Sequence, residues 1–256
     1  MLSKCLSVVN FNRFIRLPRR KMTDLITRFE RLSLNDTSYV GKETQVHGFV
    51  WEREVGSILG ASVDEMKSIS YTSPTDLPSH FNRKHGVDNH CKTTGSQLVC
   101  MGSALNTFDH LDRDKTHLTI IQYVQRDGWK IVKNTYQLDL TGMRLAFFGD
   151  ITREDLSELE DVIKSIPPGR LDKSERERIY NRKKMELQSR SSLIKLNPKV
   201  DSKTQRRLQC SFNLNDFLNA YPTRCIQTSV GNRFYDGYIT PKIQSGRRKL
   251  KRRNDK

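Results

Sequence analysis

Two apolar runs, residues 117–124 and 129–140, meet across Arg126, Asp127 and Gly128, and this junction restricts the fold more than any other stretch of the chain. Leu118, Ile120, Ile121, Tyr123 and Val124 supply apolar side chains to both faces of the first run. Glycine accepts the positive φ that a tight reversal demands, so Asp-Gly between two such runs predicts an antiparallel hairpin. A third apolar run, residues 143–148, is set off by Gly142 and Gly149 and reads as a third strand. The period then becomes helical. Thr152 stands as N-cap with Asp155 three residues on, and Leu156, Leu159, Val162, Ile163 and Ile166 form one stripe that Pro167, Pro168 and Gly169 stop. A hairpin and an amphipathic helix cover each other's apolar faces. The expected class is therefore α+β, a small, mostly antiparallel sheet packed by amphipathic helices, with basic, partly disordered N- and C-terminal arms.

Charge divides the chain. Of a net +16, residues 1–23 carry +6, residues 24–169 carry −5, and residues 170–256 carry +15 (23 Lys and Arg against 8 Asp and Glu). This reads as an acidic core at 43–169, a short helix and linker at 24–42, a basic N-terminal arm at 1–23, and a basic helical and disordered region at 170–256. Such arms favour an anionic partner, although charged ends also serve solubility alone. Five cysteines, an odd number, make no disulfide framework and fit a reducing, intracellular setting. No apolar run approaches the roughly 20 residues that span a bilayer, so no transmembrane segment is expected.

Residues 1–21 hold six cations and no acid, with Leu2, Cys5, Leu6 and Val9 on one helical face. A mitochondrial presequence has that composition, and so does an arm that touches phosphate or anionic lipid. Met22, Leu25, Ile26, Phe29 and Leu32 repeat at helical spacing. Residues 45–52 read as a strand, residues 56–70 as ambiguous with a brief helix face at Val63, Met66 and Ile69, and residues 73–95 as a long loop. Residues 97–101 resume an apolar run. Ser174 with Glu177 predicts a capping box opening a basic helix to about Ser189. Pro198 breaks the pattern, Leu208, Cys210, Phe212 and Leu214 alternate like a strand, and residues 216–220 could make one helical turn.

Seven of the eleven His and Cys residues lie within 38 residues: His80, His85, His90, Cys91, Cys100, His110 and His117. Imidazole and thiolate are zinc ligands, so His85, His90, Cys91 and Cys100 are the candidate metal set, and zinc is the only cofactor the pattern suggests. The paired knuckle spacing of zinc sequences is missing, and surface histidines with two buried thiols give the same composition. Asp109, Asp112 and Asp114 read as a solvated turn. Nucleophile elbow, Walker loop and metalloprotease helix motifs do not occur, which leaves no catalytic residue to assign.

Candidate nucleic-acid contacts are Arg176, Arg178, Arg182, Lys183 and Lys184 on the second helix, Arg233, Phe234 and Tyr235, and the terminal cluster Arg247, Arg248, Lys249, Lys251, Arg252 and Arg253. Cations neutralise phosphates, and aromatics beside them stack on unpaired bases, unless those rings pack on the core. The terminal cluster also suits nuclear import. The expected function is a non-enzymatic, structural nucleic-acid-binding protein, RNA more than DNA, within a viral nucleoprotein complex or an organellar ribosome, with protein partners met through the core. The alternatives are a metal-dependent enzyme built on the His/Cys loop and an adaptor whose arms bind anionic membranes. The expected location is the nucleus or the mitochondrion.

Overall fold

The predicted hairpin is the middle of the larger sheet. In the computed structural model, which describes residues 46–70, 73–113, 115–167, 169, 171–200 and 205–245, strand β3 (Thr116–Arg126) turns into β4 (Trp129–Asp139). Asp127 (φ 50°) and Gly128 (φ 77°) both take the left-handed conformation that the two-residue turn requires. Strand β1 (Asp88–Thr94) lies parallel to β3, while β7 (Cys225–Val230) and β10 (Lys242–Gln244) share the far edge of β4, both antiparallel to it. A second sheet, antiparallel, has the order β2 (Leu98–Ser103), β6 (Arg206–Asn213), β5 (Lys195–Val200). A two-strand ribbon, β8 (Arg233–Phe234) and β9 (Gly237–Tyr238), completes the β structure among the described residues.

Period-2 alternation sends the central strands' side chains into two separate cores. Leu118, Ile120 and Leu138 face the larger core, shared with the second sheet and with helices α3 (Ala104–Arg113), α4 (Arg144–Phe148), α5 (Arg153–Ser165), α6 (Lys173–Arg190) and α7 (Leu214–Ala220). Ile121, Val132 and Cys91 face the smaller core, roofed by α1 (Val46–Ile58) and β8. A buried amide and hydroxyl group sits on this second face. Thr119 Oγ1 is 3.0 Å from Asn89 Oδ1 and 2.6 Å from Gln137 Oε1, and Gln137 Nε2 donates to Asn89 Oδ1 at 2.9 Å. The architecture is α+β, a curled sheet packed by helices.

Helix α5 is the predicted one, with Thr152 and Asp155 forming the capping box and Leu156, Leu159 and Ile163 buried. Four other segments differ from expectation. Residues 46–52 belong to a helix and not to the expected strand, because Trp51 and Val55 in α1 and Leu59 just after it recur every four residues and bury one stripe at 1% exposure or less. Residues 143–148 are not a strand either, since one turn of α4 places Phe147 and Phe148 in the core and leaves Leu145 outside. Gly149 ends that turn at φ 59°, where an added Cβ would lie 2.3 Å from the Arg190 carbonyl. Helix α6 is capped by Asp172 and Glu175 rather than Ser174 and Glu177, and so starts earlier. Pro198 lies inside β5, which an edge strand tolerates because its missing N–H faces outward.

The expected loop at 73–95 holds β1 and an antiparallel bridge between Leu77 and Asn89. Helix α2 (Val63–Ser68), capped by Ser62 and Glu65, replaces the brief helix face. Asp109 belongs to α3 and accepts two bonds from Arg153 (2.8 and 3.2 Å), so it is no solvated turn residue. Nor does packing stop at residue 169, since Leu187, Leu196, Leu208 and Phe212 are as buried in the larger core as Leu159 is. Among the described residues, no helix is long and apolar enough to cross a membrane. The predicted N-terminal arm, the helix at 22–32, Asp114 and the cluster Arg247 to Arg253 lie outside the described residues.

Candidate functional site

Helix α6 buries Tyr180 and Leu187, two turns apart, and this inner stripe sets what its flanks present. Between its first two turns and β5 runs a cleft of about 260 Å³. Lys173, Arg176 and Tyr180 form one bank, Pro198 and Lys199 the other, and among the described residues Glu177 is the only carboxylate in the lining. Arg176 Nη1 donates to the Leu171 carbonyl at 2.9 Å, which anchors the guanidinium at the cleft. Lys173 Nζ is 3.8 Å from the Glu177 carboxylate, both largely exposed, a geometry that neutralises little in water. The cleft therefore presents an excess of positive charge over an aromatic floor.

The other predicted nucleic-acid residues divide. Arg178 and Arg182 are exposed on the outer face of α6, beside the exposed Ile179 and Met185. Lys183 is committed within the fold: it donates to Glu158 at 2.9 Å and lies 3.8 Å from Asp155, which also holds Arg190 at 2.8 Å. Lys184 is half-buried and Arg233 exposed. Phe234 is fully buried in the smaller core, so it cannot stack on a base, and that assignment is corrected. Tyr235 is half-buried, with Lys84 Nζ 4.6 Å from its ring centroid and the His85 ring 5.2 Å away. Burial, with the Cys225 thiol nearby, pushes its hydroxyl up to about 12. Tyr235 also holds φ 51°, a conformation a bulky side chain rarely adopts.

The four candidate zinc ligands do not come together. His85 faces His117 (ring centroids 5.3 Å apart), whereas His90 faces His110 (5.1 Å). Cys91 points to the opposite face of β1 from His90, into the smaller core, and burial raises its thiol well above the ordinary range. Cys100 is exposed on β2. Alternation along β1 makes this unavoidable, since neighbouring residues of a strand cannot share a face. Among the described residues, no three His, Cys, Asp or Glu side chains are grouped as a metal would need.

What the His-rich stretch does build is a second cleft, of about 190 Å³, beside β1. His90, Lys92, His110 and Ser103 line it together with Asp76, whose carboxylate accepts from the Cys91 N–H at 2.7 Å and from Lys92 Nζ at 3.0 Å. Burial alone would raise the Asp76 carboxyl, but the Lys92 ammonium and His90 reverse this and hold it low. Burial holds His90 down to about 4, so its imidazole is neutral near pH 7. On the α1 side, burial and the Asp76 charge raise Glu52 to about 7. The arrangement can exchange a proton and can hold a small polar group.

Sequence reasoning missed Asp76, Lys92 and Glu52 here, and Lys173 and Lys199 in the first cleft. Lys199 sits in an exposed edge strand whose existence Pro198 hid. Asp76 carried no signal, because its role depends on the free backbone edge of β1. No family model, curated protein or solved structure matches the chain.

Proposed function

We propose that this chain is a non-enzymatic nucleic-acid-binding protein, with RNA as its polyanion, serving as a structural part of a ribonucleoprotein. The observation that carries the reading is the cleft between α6 and β5, where, among the described residues, Lys173, Arg176 and Lys199 face one carboxylate, Glu177. Arg178 and Arg182 extend this charge along the outer face of the helix. Phosphate neutralisation by such groups releases counterions and gives affinity with little sequence choice. The terminal cluster adds seven cations against one acid over residues 246–256.

The test is filter binding of single-stranded RNA by the full chain across a salt series. Lys173→Gln, Arg182→Gln and Lys199→Gln together should weaken binding and make the log-log salt slope shallower by about 0.7 for each phosphate no longer neutralised. Removing residues 246–256 should act the same way. The cut belongs after Ser245, because Lys242–Gln244 form β10 on the edge of β4. Salt-independent binding, or none at low ionic strength, would refute the reading and make vesicles of anionic lipid the next partner to try.

A second reading rests on the cleft beside β1. There His90 and His110, their rings 5.1 Å apart, line one cleft with the Lys92 ammonium, groups of the kind that hold an anionic ligand and move its protons. RNA cleaved in the presence of a chelator, and left intact by His110→Ala, would support an enzyme. Intact RNA with the unaltered chain would discard one.

A further inference from the structure

Two of the edge strands, β1 and β5, are blocked against further pairing. Along β1, Leu77 and Asn89 exchange both backbone bonds at 2.9 Å and Asp76 takes the Cys91 N–H. Along β5, Pro198 removes a donor and Lys195 and Lys199 are exposed. These are the usual means by which proteins keep sheet edges from pairing with other chains. Strand β7 has none of them. Among the described residues it pairs with β4 alone, and its six residues, Cys225 to Val230, include no charge and no proline in a chain of net +16. Ile226 is 45% exposed and Val230 87%.

We propose that β7 pairs with the β7 of a second copy of this chain, antiparallel about a two-fold axis at Thr228, making one continuous sheet across two molecules. The strand is complementary to itself in this register. On one face Ile226 lies opposite the partner's Val230, a pair of β-branched side chains at cross-strand contact distance, and the reverse pair repeats it. On the other face Gln227 lies opposite the partner's Ser229. In the single chain Gln227 Nε2 donates to Ser229 Oγ at 3.2 Å, so the two polar side chains of that face already satisfy each other along the strand and bring no charge to the edge. Charge also selects the occupant, because two copies of a strongly basic chain meet most easily where the strand is neutral.

The pairing is independent of nucleic-acid binding. Because one strand per chain is small beside the roughly 20–30 residues of a standard interface, the dissociation constant should be on the order of tens of micromolar. Sedimentation of the full chain at about 0.5 M salt, where surface repulsion is screened, should show a monomer–dimer equilibrium over that range. Ile226→Lys with Val230→Lys puts like charges opposite each other twice and should abolish the dimer, with an unchanged circular dichroism spectrum. Ile226→Lys with Val230→Glu should restore it. Thr228→Cys should form an intermolecular disulfide beyond the background of the unaltered chain, since opposed residues lie about 4.5–5.5 Å apart at Cα. A monomer throughout, a dimer indifferent to the lysine pair, or a dimer that appears only after residues 246–256 are removed would each overturn the proposal.

Discussion

Replacing Glu52 by Gln should make the protein more stable at neutral and alkaline pH and leave it unchanged in acid. The half-buried Glu52 carboxyl on α1 is raised from 4.5 to about 7, first by burial and then by the Asp76 carboxylate, with Lys92 and Arg53 opposing. The folded chain therefore keeps this proton up to about pH 7, whereas the unfolded chain releases it near pH 4.5. Between those limits the folded state binds more protons, so stability falls as pH rises. Below pH 4.5 both states are neutral and nothing is lost; above about pH 7 the fold bears the full cost of an ionised carboxylate. At about 1.4 kcal/mol for each tenfold, that cost is about 3 kcal/mol. Glu52→Gln keeps the shape and removes the charge. Urea denaturation should then show a gain of about 3 kcal/mol near pH 8, shrinking through pH 7 and gone near pH 4.5. A difference that does not vary with pH, or a less stable variant near pH 8, would show that burial does not govern this carboxyl.

Leu159→Ala should cost about 2–5 kcal/mol, since Leu159 is fully buried; an unchanged denaturation midpoint would remove α5 from the core. Phe234→Ala should cost about 3–5 kcal/mol and leave the salt slope of RNA binding alone, whereas a changed slope at unchanged stability would return Phe234 to an interface. Thr119→Val should cost about 1–3 kcal/mol by stripping the hydroxyl from the buried Asn89 and Gln137 amides, and a neutral outcome in thermal melts would mean water replaces it. His90 is held at about 4, so the fold opposes its protonation and loses stability as pH falls from 6.5 towards 4; His90→Gln should flatten that limb of the pH–stability curve, and an unaltered limb would exonerate His90.

The elements legible in the sequence are those whose signals are local. The β3–β4 turn needs two residues in the left-handed region and has Asp127 and Gly128; α5 needs a cap and a stripe and has both within 15 residues. Strand β6 alternates openly through Leu208, Cys210 and Phe212. By contrast, β1 reads Asp-Asn-His-Cys-Lys-Thr-Thr, and what makes it a strand is parallel pairing with β3 and the Asn89, Thr119 and Gln137 contacts, all from far along the chain. Residues 46–51 look like a strand until Val55 and Leu59 are counted with Trp51. Residues 143–148 are too short for periodicity to decide; the choice is made by Gly149 packing against Arg190, 41 positions away.

Charge misled for a related reason. It changes sign at residue 169, but charge belongs to the surface and does not mark where a core ends. Ile194, Leu196, Leu208, Phe212 and Phe217 all come from the basic side of that boundary and are buried beside Leu156 and Ile163. Counting cations along α6 fails in the same way. Lys183 and Arg190 answer Asp155 and Glu158, carboxylates that lie in the acidic segment by sequence and next to α6 in space. Two of the cations of α6 are thus answered where α5 packs on it, a small part of the +15 carried by residues 170–256. Among the described cations that α5 does not reach, Lys173, Arg176, Arg178, Arg182 and, from the neighbouring strand, Lys199 lie at or beside the cleft and can meet an outside anion.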